Sequence, residues 1–271
     1  RRQRQMCIRD RLIIDRELTS YDIADHVARI TLKRPEKRNA LTRQMRKEIQ
    51  NALFDIKTNP DIWVAIIDAE GDVFCAGKDL LEVVDPATDD GTVYSNDELF
   101  VYMRTVYKPI ILAMQGACMA QGAGFALSSD IVLMTEKAYI GWPQVKRGIS
   151  SVSGPTQGVH AMPWPMAMGV LLRGGGVSAE DAHRLGLCNE VVEQDKDKLM
   201  EAADRWAGEI LENAPLAVQA IKESSRRCLE LPLEARLRLA RQVADKVLES
   251  EDAKEGIAAF REKRAPIWKG K

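Results

Sequence analysis

Phe74-Cys75-Ala76-Gly77-Lys78-Asp79-Leu80 and Gly116-Ala117-Cys118-Met119-Ala120-Gln121-Gly122-Ala123-Gly124 are the two stretches whose reading decides the fold. Each sets small residues where a strand is expected to turn into a helix. Glycine and alanine let another group come close to the main chain, and the first amides of a helix lack intrahelical partners. Two such turns meeting at one point would aim two backbone N–H groups at a single oxygen, the arrangement that stabilises a developing oxyanion. Either turn alone is better read as close packing that demands small residues. Both together, in this order, favour the chemical reading.

Working outward, residues 26–33 alternate apolar and polar in the manner of a strand, and 64–68 and 110–114 are short apolar runs typical of buried strands. Between the first two, Thr42 is placed to cap a helix that buries Met45, Ile49, Leu53 and Ile56 along one face. The run from Ile110 passes through Gly116 into a helix over 122–129, and 130–134 returns as strand. The repeated unit is strand, strand, helix. The expected fold class is therefore α/β, a spiral of short ββα units rather than a doubly wound nucleotide fold. From Ser178 onward helices are expected over 179–185, 196–212, 216–229, 233–249 and 253–264. Residues 83–95, rich in Asp, Thr and Gly, read as a mobile loop before a helix over 97–106. Three parts follow: a leader over 1–11, a ββα spiral core over 12–177 and a helical region over 178–271. The stripe Leu233, Leu237, Ala240, Val243, Val247 suits an oligomer surface and an intramolecular core equally.

A chain of 271 residues with 45% hydrophobic content can bury one large core. Lys plus Arg total 39 against 40 for Asp plus Glu, and five of the arginines fall in the first eleven residues beside the single acid Asp10. The remaining body is acidic, which argues against a nucleic-acid partner, RNA included. The arginine-rich leader contains Asp10, lacks an apolar helical stripe and does not begin with methionine. It reads as adaptor-like foreign sequence rather than a transit peptide. No apolar run approaches the roughly 20 residues of a bilayer span, and no signal peptide is visible, so a soluble cytoplasmic protein without a membrane partner is expected. Five scattered cysteines (Cys7, Cys75, Cys118, Cys188, Cys228) form no C-x-x-C pair and read as reduced thiols. His26, His160 and His183 lie far apart, so no metal site is implied. Gly122 to Leu127 lacks the third small residue of a dinucleotide fingerprint, and no G-x-S-x-G elbow surrounds Ser150, Ser151 or Ser153.

With Arg34-Pro35-Glu36-Lys37-Arg38-Asn39-Ala40-Leu41 upstream and Phe260-Arg261-Glu262-Lys263-Arg264 near the end, the order and spacing of these motifs resemble the crotonase (enoyl-CoA hydratase/isomerase) superfamily over about 12–269. The resemblance implies an acyl-CoA substrate whose thioester oxygen is held by the backbone N–H groups of Lys78 and Gln121. It departs from the usual pattern at Gln121, where relatives carry glycine. It implies that Ala40 contacts adenine through its backbone and that Arg34 or Lys37 meets CoA phosphates. Ala76, Lys78, Asp79 and Leu80 fall on the family's CoA-binding segment, and Asp79 reads as the residue that fixes the turn. Phe260 and Lys263 complete the CoA site, often across a subunit boundary of a homotrimer or a hexamer built as a dimer of trimers. No permanently bound cofactor is implied, CoA being part of the substrate.

The two glutamates of a typical family hydratase fall on Gly124 and Gln144. Glycine has no side chain, and a neutral amide cannot relay a proton as a carboxylate does. Two-glutamate hydration is not expected, the single-glutamate isomerase pattern fails at Gln144 as well, and Val152 stands where some relatives place an aspartate. Hydrolysis, decarboxylation and atypical hydration stay open, beside a non-catalytic CoA-thioester-binding homologue. Glu82, Asp85, Glu98 and His160 are the candidate replacement acids or bases, and Trp142 is expected to line the acyl pocket.

Overall fold

The computed structural model describes residues 16–84 and 96–271. The 1–11 leader, Asp85 and most of the 83–95 segment lie outside the described residues. Strands β1 (Thr19–Ala24) and β2 (Val27–Leu32) form an antiparallel hairpin. Its two-residue turn puts Asp25 and His26 at φ +46° and +67°, the double left-handed geometry that matches strand twist. Thr42 caps α1 (Arg43–Thr58) as expected, its Oγ1 accepting from Met45 N at 3.1 Å, and Met45, Ile49, Leu53 and Ile56 are fully buried. β3 (Val64–Ala69) then runs parallel to β2.

Short helix α2 (Leu81–Val84) and α3 (Asn96–Met103) lead to β4 (Ile110–Met114), parallel to β3. From here the chain alternates between two sheets: β5 (Ala117–Met119) starts the second, α4 (Ala123–Ser128) returns it, β6 (Ile131–Thr135) joins the first and β7 (Tyr139–Gly141) the second. After α5 (Val159–Ala161) and α6 (Trp164–Leu171), β8 (Gly176–Ser178) closes the second sheet; past α7 (Ala179–Arg184), β9 (Glu190–Val192) closes the first. The sheet orders are β1-β2-β3-β4-β6-β9 and β5-β7-β8. This alternation is the expected ββα spiral.

The first sheet is covered on both faces. One side packs Ile30, Leu32, Ile67 and Leu112 against α1 and the second sheet; the other packs Val64, Ile66, Ile111 and Leu133 against Leu199 and Ala203 of α8 (Lys196–Leu211). Two-sided burial is why β3 and β4 read as unbroken apolar runs.

The chain ends in α9 (Pro215–Cys228), α10 (Leu233–Leu248) and α11 (Glu251–Glu262). Only Val243 of the α10 stripe is buried, whereas Leu233 and Leu237 remain exposed. Among the described residues no helix is long and apolar enough to cross a membrane. An ion pair with a buried lysine clips α9 to the spiral: Lys222 Nζ lies 2.5 Å from Asp130 Oδ2 and donates to Lys108 O at 2.8 Å, and Arg226 reaches Asp130 Oδ1 at 3.2 Å. Burial pushes the Lys222 ammonium down to about 8 despite the opposing pull of Asp130. Asp130→Asn should strand that cation. The expected loss is about 1–3 kcal/mol of unfolding free energy, read from urea denaturation curves.

Candidate active site

The two signature stretches meet. Cys75 N donates to Ala117 O (3.1 Å) and Met119 N to Cys75 O (2.8 Å), a parallel bridge that lays one stretch beside the other. Gly77, at φ +101°, faces the second stretch so closely that a Cβ there would lie 2.9 Å from Ala120 Cβ and from Met119 O, and 3.2 Å from Gln121 N. Only glycine satisfies both the backbone angle and the space. Gly77 C=O accepts from Leu41 N at 2.8 Å, and Asp79 N donates to Leu41 O at 3.1 Å. The described chain has no cis peptide, and a trans peptide directs its C=O and N–H to opposite sides. Lys78 N–H therefore points away from Leu41. In the second stretch Ala120 C=O accepts from Ser153 Oγ at 3.3 Å, so Gln121 N–H points away from Ser153.

Of the two positions that the sequence resemblance aligned with glutamates, one is sealed and one is polar without charge. A Cβ on Gly124 would sit 2.5–2.7 Å from three ring carbons of Phe100. Phe100 is itself wedged edge-on against Phe125, ring centroids 5.1 Å apart, and Phe125 against Phe74 at 5.7 Å. The room for a side chain at 124 is filled by aromatic carbon. Gln144 donates through Nε2 to Ser151 Oγ (3.4 Å), which also accepts from Gly154 N (3.2 Å). Among the described residues its Oε1 is buried with no hydrogen-bond partner. A buried acceptor left open costs about 1–3 kcal/mol.

The upstream turn is held from within. Arg34 donates to Asp79 Oδ2 (2.6 Å) and to Ala40 O (3.1 Å), and Asn39 Nδ2 donates to Glu70 O and Val73 O, each at 2.9 Å. Burial would raise the Asp79 carboxyl, but the Arg34 guanidinium and the Leu81 N–H outweigh it and hold it below the usual carboxylate range. Asp79 thus fixes its turn, as the sequence suggested. Of the two basic residues expected near CoA phosphates, Arg34 is engaged in this internal pair and Lys37 is exposed. Ala76 N donates to Arg38 O (2.9 Å), and Leu80 is exposed beyond the turn.

Phe260 is 86% exposed at the end of α11, and Lys263 caps that helix at φ +55°. The hydrogen bonds around them run to Glu255 and the C-terminal tail. Among the candidate bases, Glu82 accepts from Arg43 N at 2.9 and 3.1 Å and so caps α1, Glu98 is half-buried on the helix that carries Phe100, and His160 is exposed. Trp142 is buried, its Nε1 donating to Ser153 Oγ at 3.2 Å. The polar roles of Ser151 and Ser153 and the plug formed by Phe100 were not foreseen. The sequence showed only that neither serine sits in a nucleophile elbow, and the π-helical turn over Gly154–Gly158 that follows them carries no pattern in sequence.

A profile for the family Enoyl-CoA hydratase/isomerase matches residues 22–271. The chain belongs to this family. Within the crotonase superfamily it is an enoyl-CoA hydratase-like enzyme of acyl-CoA type. It is 33% identical over 255 residues to the (E)-benzylidenesuccinyl-CoA hydratase of Thauera aromatica, covering 93% of this chain and 98% of that protein. It is 35% identical over 256 residues to the carnitinyl-CoA dehydratase of Salmonella typhi, covering 90% and 95%. The solved enoyl-CoA hydratase of Bacillus anthracis matches with a TM-score of 0.87 at 28% identity, over 94% of this chain and all of that one (100%). A side chain added at 124 meets Phe100. Gly124→Glu should cost about 1–3 kcal/mol of stability through overpacking. In a double-mutant cycle with Phe100→Ala, urea denaturation should reveal favourable coupling of about 1 kcal/mol or more, because the second change removes the obstacle met by the first.

Proposed function

We propose that this protein grips the carbonyl oxygen of an acyl-CoA or enoyl-CoA thioester between the N–H groups of Lys78 and Gln121 and converts the substrate through the resulting enolate or tetrahedral oxyanion. The observation that carries the reading is the pair of peptide planes at the Gly77 contact: Leu41 holds one carbonyl back and Ser153 the other, which leaves two amide hydrogens directed off the opposite sides. The donors are main-chain groups, so lysine and glutamine are acceptable there. Helix α4 has only six residues, so the local amides rather than a helix dipole supply the polarisation. Each such donor contributes about 2.7–4 kcal/mol to a transition state of this kind.

Gln144 then acts as a positioning group. Its open Oε1 accepts a hydrogen bond from water or from a substrate hydroxyl, without taking the proton. That supports hydrolysis, decarboxylation or an atypical hydration over two-glutamate hydration. The hydratases and dehydratases among its relatives favour lyase-type chemistry. CoA is substrate-borne, with Lys37 facing its phosphates and Ala40 its adenine. The outward Phe260 and Lys263, with the bare Leu233 and Leu237, support assembly as a homotrimer or a dimer of trimers in which a neighbouring copy completes the CoA site.

The plug at Gly124 favours a second reading, a CoA-thioester-binding homologue without turnover. Calorimetric titration with a panel of enoyl-, β-keto- and malonyl-type CoA thioesters, followed by product analysis, separates the two. Binding with turnover of at least one member is expected. Binding without product would favour the second reading, and absence of binding to any CoA derivative would end both. Gln144→Ala should lower kcat by roughly 10–100-fold while leaving affinity for CoA itself unchanged, since it removes only the positioned acceptor.

A further inference from the structure

Ser153 is 2% exposed and lies 33 residues from the peptide it touches. Its hydroxyl stands between two groups. Trp142 Nε1 donates to Oγ at 3.2 Å, and Oγ donates to Ala120 O at 3.3 Å. The polarity of this relay is fixed, because an indole N–H can only donate and a carbonyl can only accept. The single hydroxyl proton is therefore delivered to Ala120.

That peptide is one that needs holding. Ala120 sits at φ +54°, a left-handed conformation that costs an L-residue roughly 1–2 kcal/mol. The Ala120 Cβ faces Gly77, where an added Cβ would come within 2.9 Å of it. Rotation of the Ala120–Gln121 plane, a change of ψ at 120 and φ at 121, would swing Gln121 N–H out of line. Ser153 opposes that rotation by holding the carbonyl on the far side. Withdrawing electron density from the same carbonyl also makes the amide hydrogen of the unit a better donor.

We propose that Ser153 is a positioning residue for the second oxyanion donor, acting through the Ala120 carbonyl and never touching substrate. The inference rests on the two-amide reading given above. A purely structural serine would only satisfy the Trp142 N–H, so the test must read carbonyl polarisation as well as stability.

The measurement is the difference infrared spectrum of an acyl-CoA carrying ¹³C at the thioester carbonyl, bound to the wild-type chain, Ser153→Ala, Ser153→Thr and Ser153→Cys, with thermal melts of each. The wild type is expected to lower the carbonyl stretch relative to free ligand. Ser153→Ala should lose a large part of that shift, Ser153→Thr should regain it, and Ser153→Cys, a weaker donor, should fall between. For any thioester that turns over, Ser153→Ala should lower kcat about tenfold with KM little changed, less than the roughly 10²–10³ seen when a donor is removed outright. A Ser153→Ala chain that melts earlier yet keeps the wild-type frequency and kcat would overturn the proposal. If Ser153→Ala does not fold, a full wild-type frequency in Ser153→Cys would overturn it equally. A bound wild-type ligand with no shift at all would instead bring down the two-amide reading, and this inference with it.

Discussion

The contact between Gly77 and the Ala120–Gln121 peptide is the constraint on which the site depends. A hydrogen atom fits there and a methyl does not, since a Cβ would stand 2.9 Å from both Ala120 Cβ and Met119 O. The parallel bridge between Cys75 and Cys118 sets up this approach, and the bridge in turn requires that β3 and β4 have already been brought side by side in the first sheet. The thiols behind the bridge serve packing alone: burial pushes the Cys75 thiol up to about 12, far from the range in which a thiolate would react. The spiral architecture thus acts as a jig that presses two remote turns into one another.

The two positions that the sequence resemblance aligns with glutamates carry no carboxylate. Gly124 faces an aromatic plug and Gln144 presents an amide, and neither group can carry a proton as a carboxylate does. The carboxylates nearby have structural duties. Asp79 is bound to Arg34 and Leu81 N, and Glu82 receives the first amide of α1.

Much of the fold was legible because its signals are local. Thr42 and the stripe of α1, the apolar runs of β3 and β4, and the C-terminal helices announce themselves through capping, periodicity and length. β1 was missed, since its apolar positions are few and its pairing is set by the Asp25-His26 turn. The three-residue strands of the second sheet are too short to carry a period, and they exist only because β5, β7 and β8 find one another. In the site, small residues exposed the two donor turns, and the resemblance supplied the glutamate positions. The contacts that give those positions their meaning, Phe100 over Gly124 and Ser153 under Ala120, join residues 24 and 33 apart along the chain and leave no mark on spacing. The internal pairing of Arg34 with Asp79, 45 residues apart, was hidden for the same reason.

The wedge of Phe100 beneath Gly124 also ties two positions into one unit of variation. A single exchange that adds a side chain at 124 meets a wall of carbon, and removal of the ring alone opens a hole in the core. Changes at 100 and 124 are therefore better tolerated together than singly.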